Sequence, residues 1–153
     1  MLLLLTFKIK MAIDFKLTQK KDYWDLDIEN GDIAKTDSLD TALYMSVFCE
    51  RRSDKVSEPT LRRGHFTNAF NRVAGYEIGS LLWLYTTQAK QTQSNLTMIE
   101  TSVKDGLKWM IDDSIISKTN VKATKQDTKV SIEVDLINKL QVNSKYYNLF
   151  LNL

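Results

Sequence analysis

His65 is the only histidine of the chain and Cys49 its only cysteine, and these two residues bound the chemistry it can carry. A Ser-His-Asp triad would have to use His65, yet no strand-to-helix nucleophile elbow lies near it. One thiol and one imidazole cannot supply a Cys-rich or His-rich zinc site, and an internal disulfide is excluded. Cys49 falls in an apolar run and reads as a small buried hydrophobe. There is no GxxxxGK[ST] phosphate loop, no GxGxxG element and no EF-hand pattern. An all-carboxylate magnesium or calcium site stays open.

Glycoside hydrolysis needs two carboxylates across a cleft. Asp112 and Asp113 are adjacent at a helix end and point in different directions. Asp25, Asp27 and Glu29 share one face of a strand, most simply its wet face. The sequence therefore predicts no catalytic residue, no metal ligand and no cofactor, and the expectation is that the chain is not an enzyme.

One cluster keeps some chemistry: Arg62, Arg63, His65 and Phe66, in the run RRGHF. Basic and aromatic side chains together can make a platform for phosphate or RNA. The competing reading is a loop that packs Phe66 inward and pairs its guanidinium groups with carboxylates. Charge does not favour the first: 21 basic against 19 acidic residues leave a formal charge of +2, too even for a nucleic-acid binder or a membrane-surface protein. A protein partner is the default.

The elements that must position these residues follow from patterning. The 153 residues fit one domain. Six Tyr, six Phe and three Trp argue against disorder and predict a core rich in aromatic side chains. The opening run MLLLLTFKIK is too short for a signal segment, and Lys8 and Lys10 follow its apolar part instead of preceding it. It also falls short of the roughly 20 apolar residues of a membrane helix. Met11 offers a second start, so residues 1–10 read as an upstream extension or a sticky strand, and residues 11–153 as a single domain.

Residues 12–18 and 23–28 alternate apolar and polar, which makes half-buried strands. QKKD between them is a turn, and Glu29, Asn30 and Gly31 close the second strand. A helix is expected over 38–51, capped by Asp37 or Ser38. Its apolar face is Leu39, Leu43 and Val47 with Ala42, Met45 and Phe48, and Arg51 and Arg52 suit its C-terminal end.

Residues 52–80, with Pro59, Gly64, Gly75 and Gly79, read as a long irregular connection, and such a loop usually has a job. Residues 80–86 form a short apolar helix or turn. A longer helix spans 91–116, with the stripe Leu96, Ile99, Val103, Leu107 and Met110 flanked by Trp109 and Ile111. Gly106 within it allows close packing. That stripe serves either the domain's own core or an intermolecular bundle.

Residues 119–138 alternate again, with Val130, Ile132, Val134 and Leu136 on one face and a turn near Gln126, Asp127 and Thr128. The tail YYNLFLNL makes a last strand. The fold class is α+β: an N-terminal β-hairpin, two main helices joined by a long loop, and a C-terminal β-hairpin.

The order of several short runs carries a resemblance. NGDIA at 30–34 precedes the first helix, and Glu50, Arg51 and Arg52 end it. RRGHF follows at 62–66, GSLLW at 79–83, and WMIDD at 109–113. In combination, over roughly residues 22–138, these resemble the Mu-like phage baseplate wedge family, related to the lysozyme-like baseplate subunit or sheath initiator of contractile phage tails. The family's knot usually carries two consecutive tryptophans and then Gly-Asp. Here His65, Phe66, Thr67 and Asn68 stand in those places.

The resemblance implies a structural subunit of the inner baseplate, located in the virion tail and in the host cytoplasm during assembly. It implies binding to other wedge proteins and to sheath and tube-proximal proteins, in a hetero-oligomeric, six-fold assembly that starts sheath polymerisation. No nucleic acid, membrane or hydrolytic step is implied. Expected partner contacts are Arg62, Arg63 and Phe66 in the loop, Val130, Ile132 and Val134 in the hairpin, and Tyr147 and Phe150 in the tail. An exposed strand edge can pair with a strand of another chain. The alternative for the apolar tail is a last strand folded onto its own sheet. The competing functions are a phosphate or nucleic-acid module built on Arg62–Phe66 and, behind it, a cell-wall hydrolase.

Overall fold

The computed structural model describes residues 14–20, 24–36, 38–58, 62–70, 77–86, 92–127, 129–137 and 145–152. The expectations for residues 1–10, Met11, Asp37, Pro59 and Gly75 lie outside these. The chain divides into two units, residues 1–43 and 44–153. The α+β class holds, with three α-helices and several antiparallel sheets among the described residues.

In the first unit, the described residues form six short strands, the later two of them beyond the alternating runs. They are β1 (Asp14–Phe15), β2 (Leu17–Gln19), β3 (Trp24–Leu26), β4 (Ile28–Glu29), β5 (Asp32–Ile33) and β6 (Lys35–Thr36). The expected hairpin is β2 on β3, with Leu17 opposite Leu26 and Thr18 opposite Asp25. A third stretch extends it. Asn30 and Gly31 both take positive φ, 54° and 81°, as a tight two-residue hairpin requires, and return the chain so that β5 pairs with β4. β6 then pairs with β1.

The three ladders close on one another where Lys16, Asp27 and Ala34 interrupt the strands. The Lys16 N–H donates to the Ala34 carbonyl, that of Ala34 to Asp27, and that of Asp27 to Lys16, each at 2.9 Å. The ring satisfies backbone groups that a two-stranded hairpin would leave to water.

Helix α1 (Asp40–Phe48) begins under two caps. Ser38 Oγ accepts from the Asp40 N–H at 3.4 Å, and Asp14 Oδ2 accepts from the Ala42 N–H at 3.1 Å. A carboxylate there also answers the positive end of the helix dipole. The helix stops three residues short of the expected end. Glu50 instead forms a parallel bridge with Ser80: the Ser80 N–H donates to the Cys49 carbonyl and the Arg51 N–H to the Ser80 carbonyl, both at 2.9 Å.

The second unit continues with α2 (Leu82–Thr86), α3 (Gln93–Asp112), β7 (Lys118–Gln126), β8 (Lys129–Ile137) and β9 (Lys145–Asn152). Thr92 caps α3, its hydroxyl accepting from the Asn95 N–H at 3.2 Å. The stripe Leu96, Ile99, Val103, Leu107 and Met110 is buried and belongs to the chain's own core. The helix ends at Asp112, before the expected 116, because Ser114 takes a left-handed φ of 59° and the Ile115 and Ile116 amides fold back on the Met110 carbonyl.

The expected C-terminal hairpin is present and carries one strand more. β8 lies between β7 and β9 in an antiparallel meander, with Val130 opposite Leu151 and Ile132 opposite Leu149. One face buries Val121, Ala123, Val130, Ile132, Val134, Leu136, Leu149 and Leu151, and α3 packs along β7. Each such aliphatic side chain contributes about 1.5–3 kcal/mol on full burial.

The core departs from expectation in composition. Among the residues whose burial is described, every buried hydrophobic side chain is aliphatic or Met, and no Phe, Tyr or Trp is buried. Trp83 and Trp109 sit half-buried because each indole N–H bonds to a polar group at the rim, as amphipathic rings tend to do. No described helix is long and apolar enough to cross a membrane.

Candidate functional site

The connection between α1 and α2 is irregular in outline but held at many points. Gly79, at φ 98°, lies so close to Cys49 that a β-carbon there would overlap its carbonyl oxygen. Ser80 is fully buried, its hydroxyl donating to the Val47 carbonyl at 2.6 Å and accepting from the Leu82 N–H at 3.1 Å. The Trp83 indole donates to the Arg51 carbonyl at 2.9 Å. GSLLW is thus a clamp on the chain leaving α1. The Trp109 indole adds a second, donating to Ser46 Oγ at 2.9 Å.

Against this clamp the RRGHF run lies alongside residues 50–52. The His65 N–H donates to the Glu50 carbonyl at 2.6 Å, and Gly64 lets the backbones approach, since a β-carbon there would stand 3.1 Å from Arg52 Cβ. Asn68 fixes the far side through its amide, which donates to the Ile78 carbonyl at 2.9 Å and accepts from the Ile78 N–H at 2.8 Å.

These contacts enclose a cleft of about 320 Å³, whose walls include Arg51, Arg52, Arg62, Arg63, His65 and Phe66. Arg62 pairs with Asp54 at 3.3 Å and donates from Nε to the Val56 carbonyl at 2.8 Å. Arg63 pairs with Glu50 at 2.7 Å and lies 5.3 Å from the centre of the Trp83 ring, within cation-π range. Both guanidinium groups therefore meet carboxylates, as the structural reading of the knot expects.

Phe66 departs from that reading. It is 72% exposed instead of packed inward. It opens a 3-10 turn, Phe66–Ala69, whose anchors are the Asn68 clasp and the 2.6 Å contact of His65 Nδ1 with Thr67 Oγ1, and its ring lies 4.9 Å from that of His65. Phe70 is exposed as well. Arg51 and Arg52, read from the sequence as helix-end charges, lie beyond the helix and are among the residues lining the cleft.

The remaining expected contacts separate by face. Val130, Ile132 and Val134 lie in the central strand with at most 1% exposure, so their side chains are spent on the core. Tyr147 is half-buried. Phe150, 54% exposed, and Tyr146, 60% exposed, stand on the other face of β9. The outer edge of β7 is met by Glu100 of α3, whose Oε1 accepts from the Ala123 N–H at 2.9 Å. β9 has a paired strand on one side only among the described residues.

Several of the carboxylates weighed for hydrolysis are paired with lysines. Asp112 pairs with Lys108 at 2.5 Å on the exposed end of α3. Asp27 and Glu29 both bind Lys16, at 2.7 and 3.1 Å. Burial pushes the half-buried Cys49 thiol above its ordinary pKa, which makes it less nucleophilic at neutral pH. No group of three or more metal-ligating side chains occurs among the described residues.

A relative, the Mu-like prophage FluMu protein gp46 of Haemophilus influenzae, is 26% identical over 117 residues, 76% of this chain and 80% of its own length. No solved structure matches. The family model described as phage protein GP46 matches residues 39–143, a span that begins at the start of α1, takes in the clamp, the cleft and α3, and runs past the end of β8. The chain thus belongs to the phage protein GP46 family.

Proposed function

We propose that this phage protein is a non-enzymatic structural subunit of the baseplate of a contractile tail. In this reading it binds other wedge proteins and helps to start sheath assembly in the virion tail. Membership of a phage protein family supports the setting. The observation that carries the assembly role is β9, which among the described residues is paired on one side only, with Tyr146 and Phe150 exposed on one of its faces. An open edge offers backbone donors and acceptors to an incoming strand, and exposed aromatic rings add apolar area on association.

The test is co-expression with the products of adjacent genes, followed by size exclusion with light scattering. A stable complex that is lost in the double variant Tyr146→Glu, Phe150→Glu, with the monomer still folded, supports the reading. A chain that stays monomeric beside every neighbour overturns it.

A further inference from the structure

We propose that the arginine-lined cleft is a receptor for an acidic peptide segment of a partner protein, with Arg51 and Arg52 taking its carboxylates and Phe66 its apolar side chain. This extends the assembly reading by naming a partner chemistry. It concerns a surface of the second unit distinct from the β9 strand.

Four arginines are among the residues lining one cleft of about 320 Å³. Two of them are answered within the chain: Arg62 by Asp54 and Arg63 by Glu50. Arg51 and Arg52 form no ion pair among the described residues, and Glu77, also on the wall, bonds to neither. Their backbone is nevertheless fixed, because the Arg51 N–H and carbonyl are held by Ser80 and Trp83 and Arg52 lies against Gly64. Two guanidinium groups without an ion pair among the described residues, carried on a held backbone, suit a carboxylate ligand, since guanidinium matches carboxylate with two parallel hydrogen bonds.

The lip supplies the second half of the recognition. Phe66, on the cleft wall, is 72% exposed, and the loop carrying it is anchored through Asn68. An exposed aromatic ring beside an arginine cluster is the composition of a binding hot spot.

A nucleic acid fits less well. Its backbone needs a row of phosphate contacts, whereas these arginines converge on one concavity, and the chain's net charge is only +2. The cleft volume lies at the small end of ligand sites, suited to a few side chains.

The experiment uses the full chain and a rhodamine-labelled peptide of glutamates around one phenylalanine. Its glutamine counterpart and a thymidine oligonucleotide serve as comparison probes, all read by fluorescence anisotropy. The glutamate peptide is expected to bind at least about tenfold more tightly than the glutamine one, to weaken as salt is raised, and to lose about tenfold with Arg51→Gln plus Arg52→Gln. Thermal melts establish that the variant is folded. Should it not fold, exposed Arg52→Gln alone and amide shift mapping on the wild-type chain, expected to move 51–52 and 62–69, give the answer.

Absent binding, equal binding of both peptides, or shifts elsewhere overturn the proposal. Tighter binding of the oligonucleotide overturns it in favour of nucleic acid. Because only the isolated chain and a synthetic peptide are used, its failure is separable from failure of the baseplate reading, which the co-expression experiment decides.

Discussion

Gly106 of α3 lies against the Ser46 carbonyl of α1: a β-carbon at that glycine would stand 2.5 Å from the Ser46 oxygen and 3.1 Å from Ser80 Cβ. Two helices meet there at backbone distance. The Trp109 indole, three residues along α3, bonds to Ser46 Oγ at 2.9 Å, so one residue of α1 is gripped at both its main chain and its side chain.

Gly106→Ala sets two effects against each other. Alanine gains about 1 kcal/mol of helix propensity over glycine, while forcing a methyl into a backbone contact costs about 1–3 kcal/mol or more. The obstacle is a carbonyl on a helix, which cannot swing aside as a side-chain end would. A net loss of about 1–2 kcal/mol in urea unfolding is expected. A gain in stability would mean that the helices stand further apart.

The Trp109–Ser46 bond calls for a double-mutant cycle. Trp109→Phe and Ser46→Ala each remove one partner, and the pair should couple by about 0.5–1.5 kcal/mol. Additive losses would show that the tryptophan contributes by ring packing alone.

Gly79 and Gly31 both have positive φ, 98° and 81°, yet should respond differently to alanine. Nothing lies within 4 Å of a β-carbon at Gly31, so Gly31→Ala pays only backbone strain of about 1–2 kcal/mol. At Gly79 the same methyl also meets the Cys49 carbonyl, and the bridge between Glu50 and Ser80 must open. Gly79→Ala should therefore lower the melting temperature clearly more than Gly31→Ala, and the peptide affinity of the cleft with it.

The Lys16 cluster sets a pH response. The hydrogen bond from Lys16 holds the Asp27 carboxyl below its ordinary pKa, and Asp27 followed by Glu29 raises that of Lys16. A depressed acid stabilises above its unfolded pKa and loses that contribution as pH falls through the folded value. A raised base stabilises below its unfolded pKa and loses it as pH rises through the folded value. The cluster is thus intact at neutral pH and is lost in acid, below the usual aspartate range, and in strong base. Carboxyl titration by NMR should find the Asp27 midpoint moving up toward the ordinary range in Lys16→Met. An unchanged midpoint would assign the shift to the backbone around Asp27.

Local pattern was enough for the elements whose stability is local or periodic. The α3 stripe from Leu96 to Met110 is the buried face of that helix, because spacings of three and four place those residues on one side whatever they meet. The alternation at 129–137 and the Asn30-Gly31 turn follow likewise from strand period and left-handed φ. The run of motifs, with its phage resemblance, was legible as sequence order and agrees with membership of the GP46 family.

Tertiary structure decided whatever depends on residues distant in the chain. α1 ends at Phe48 because Glu50 finds Ser80, thirty residues on, and no local signal announces that bridge. Val130, Ile132 and Val134 became core, and Phe150 surface, once β9 paired with β8 and fixed which face α3 covers. The aromatic residues were read as core from their hydrophobicity, yet among the described residues the core is aliphatic with one Met, since indole groups sought rim hydrogen bonds and Phe66 was turned out by the anchors on either side of it. The convergence of Arg51 and Arg52 with Arg62 and Arg63 is of the same kind. Periodicity reports which way a side chain faces along its own element, and only the packing of separate segments brings four like charges to one cleft.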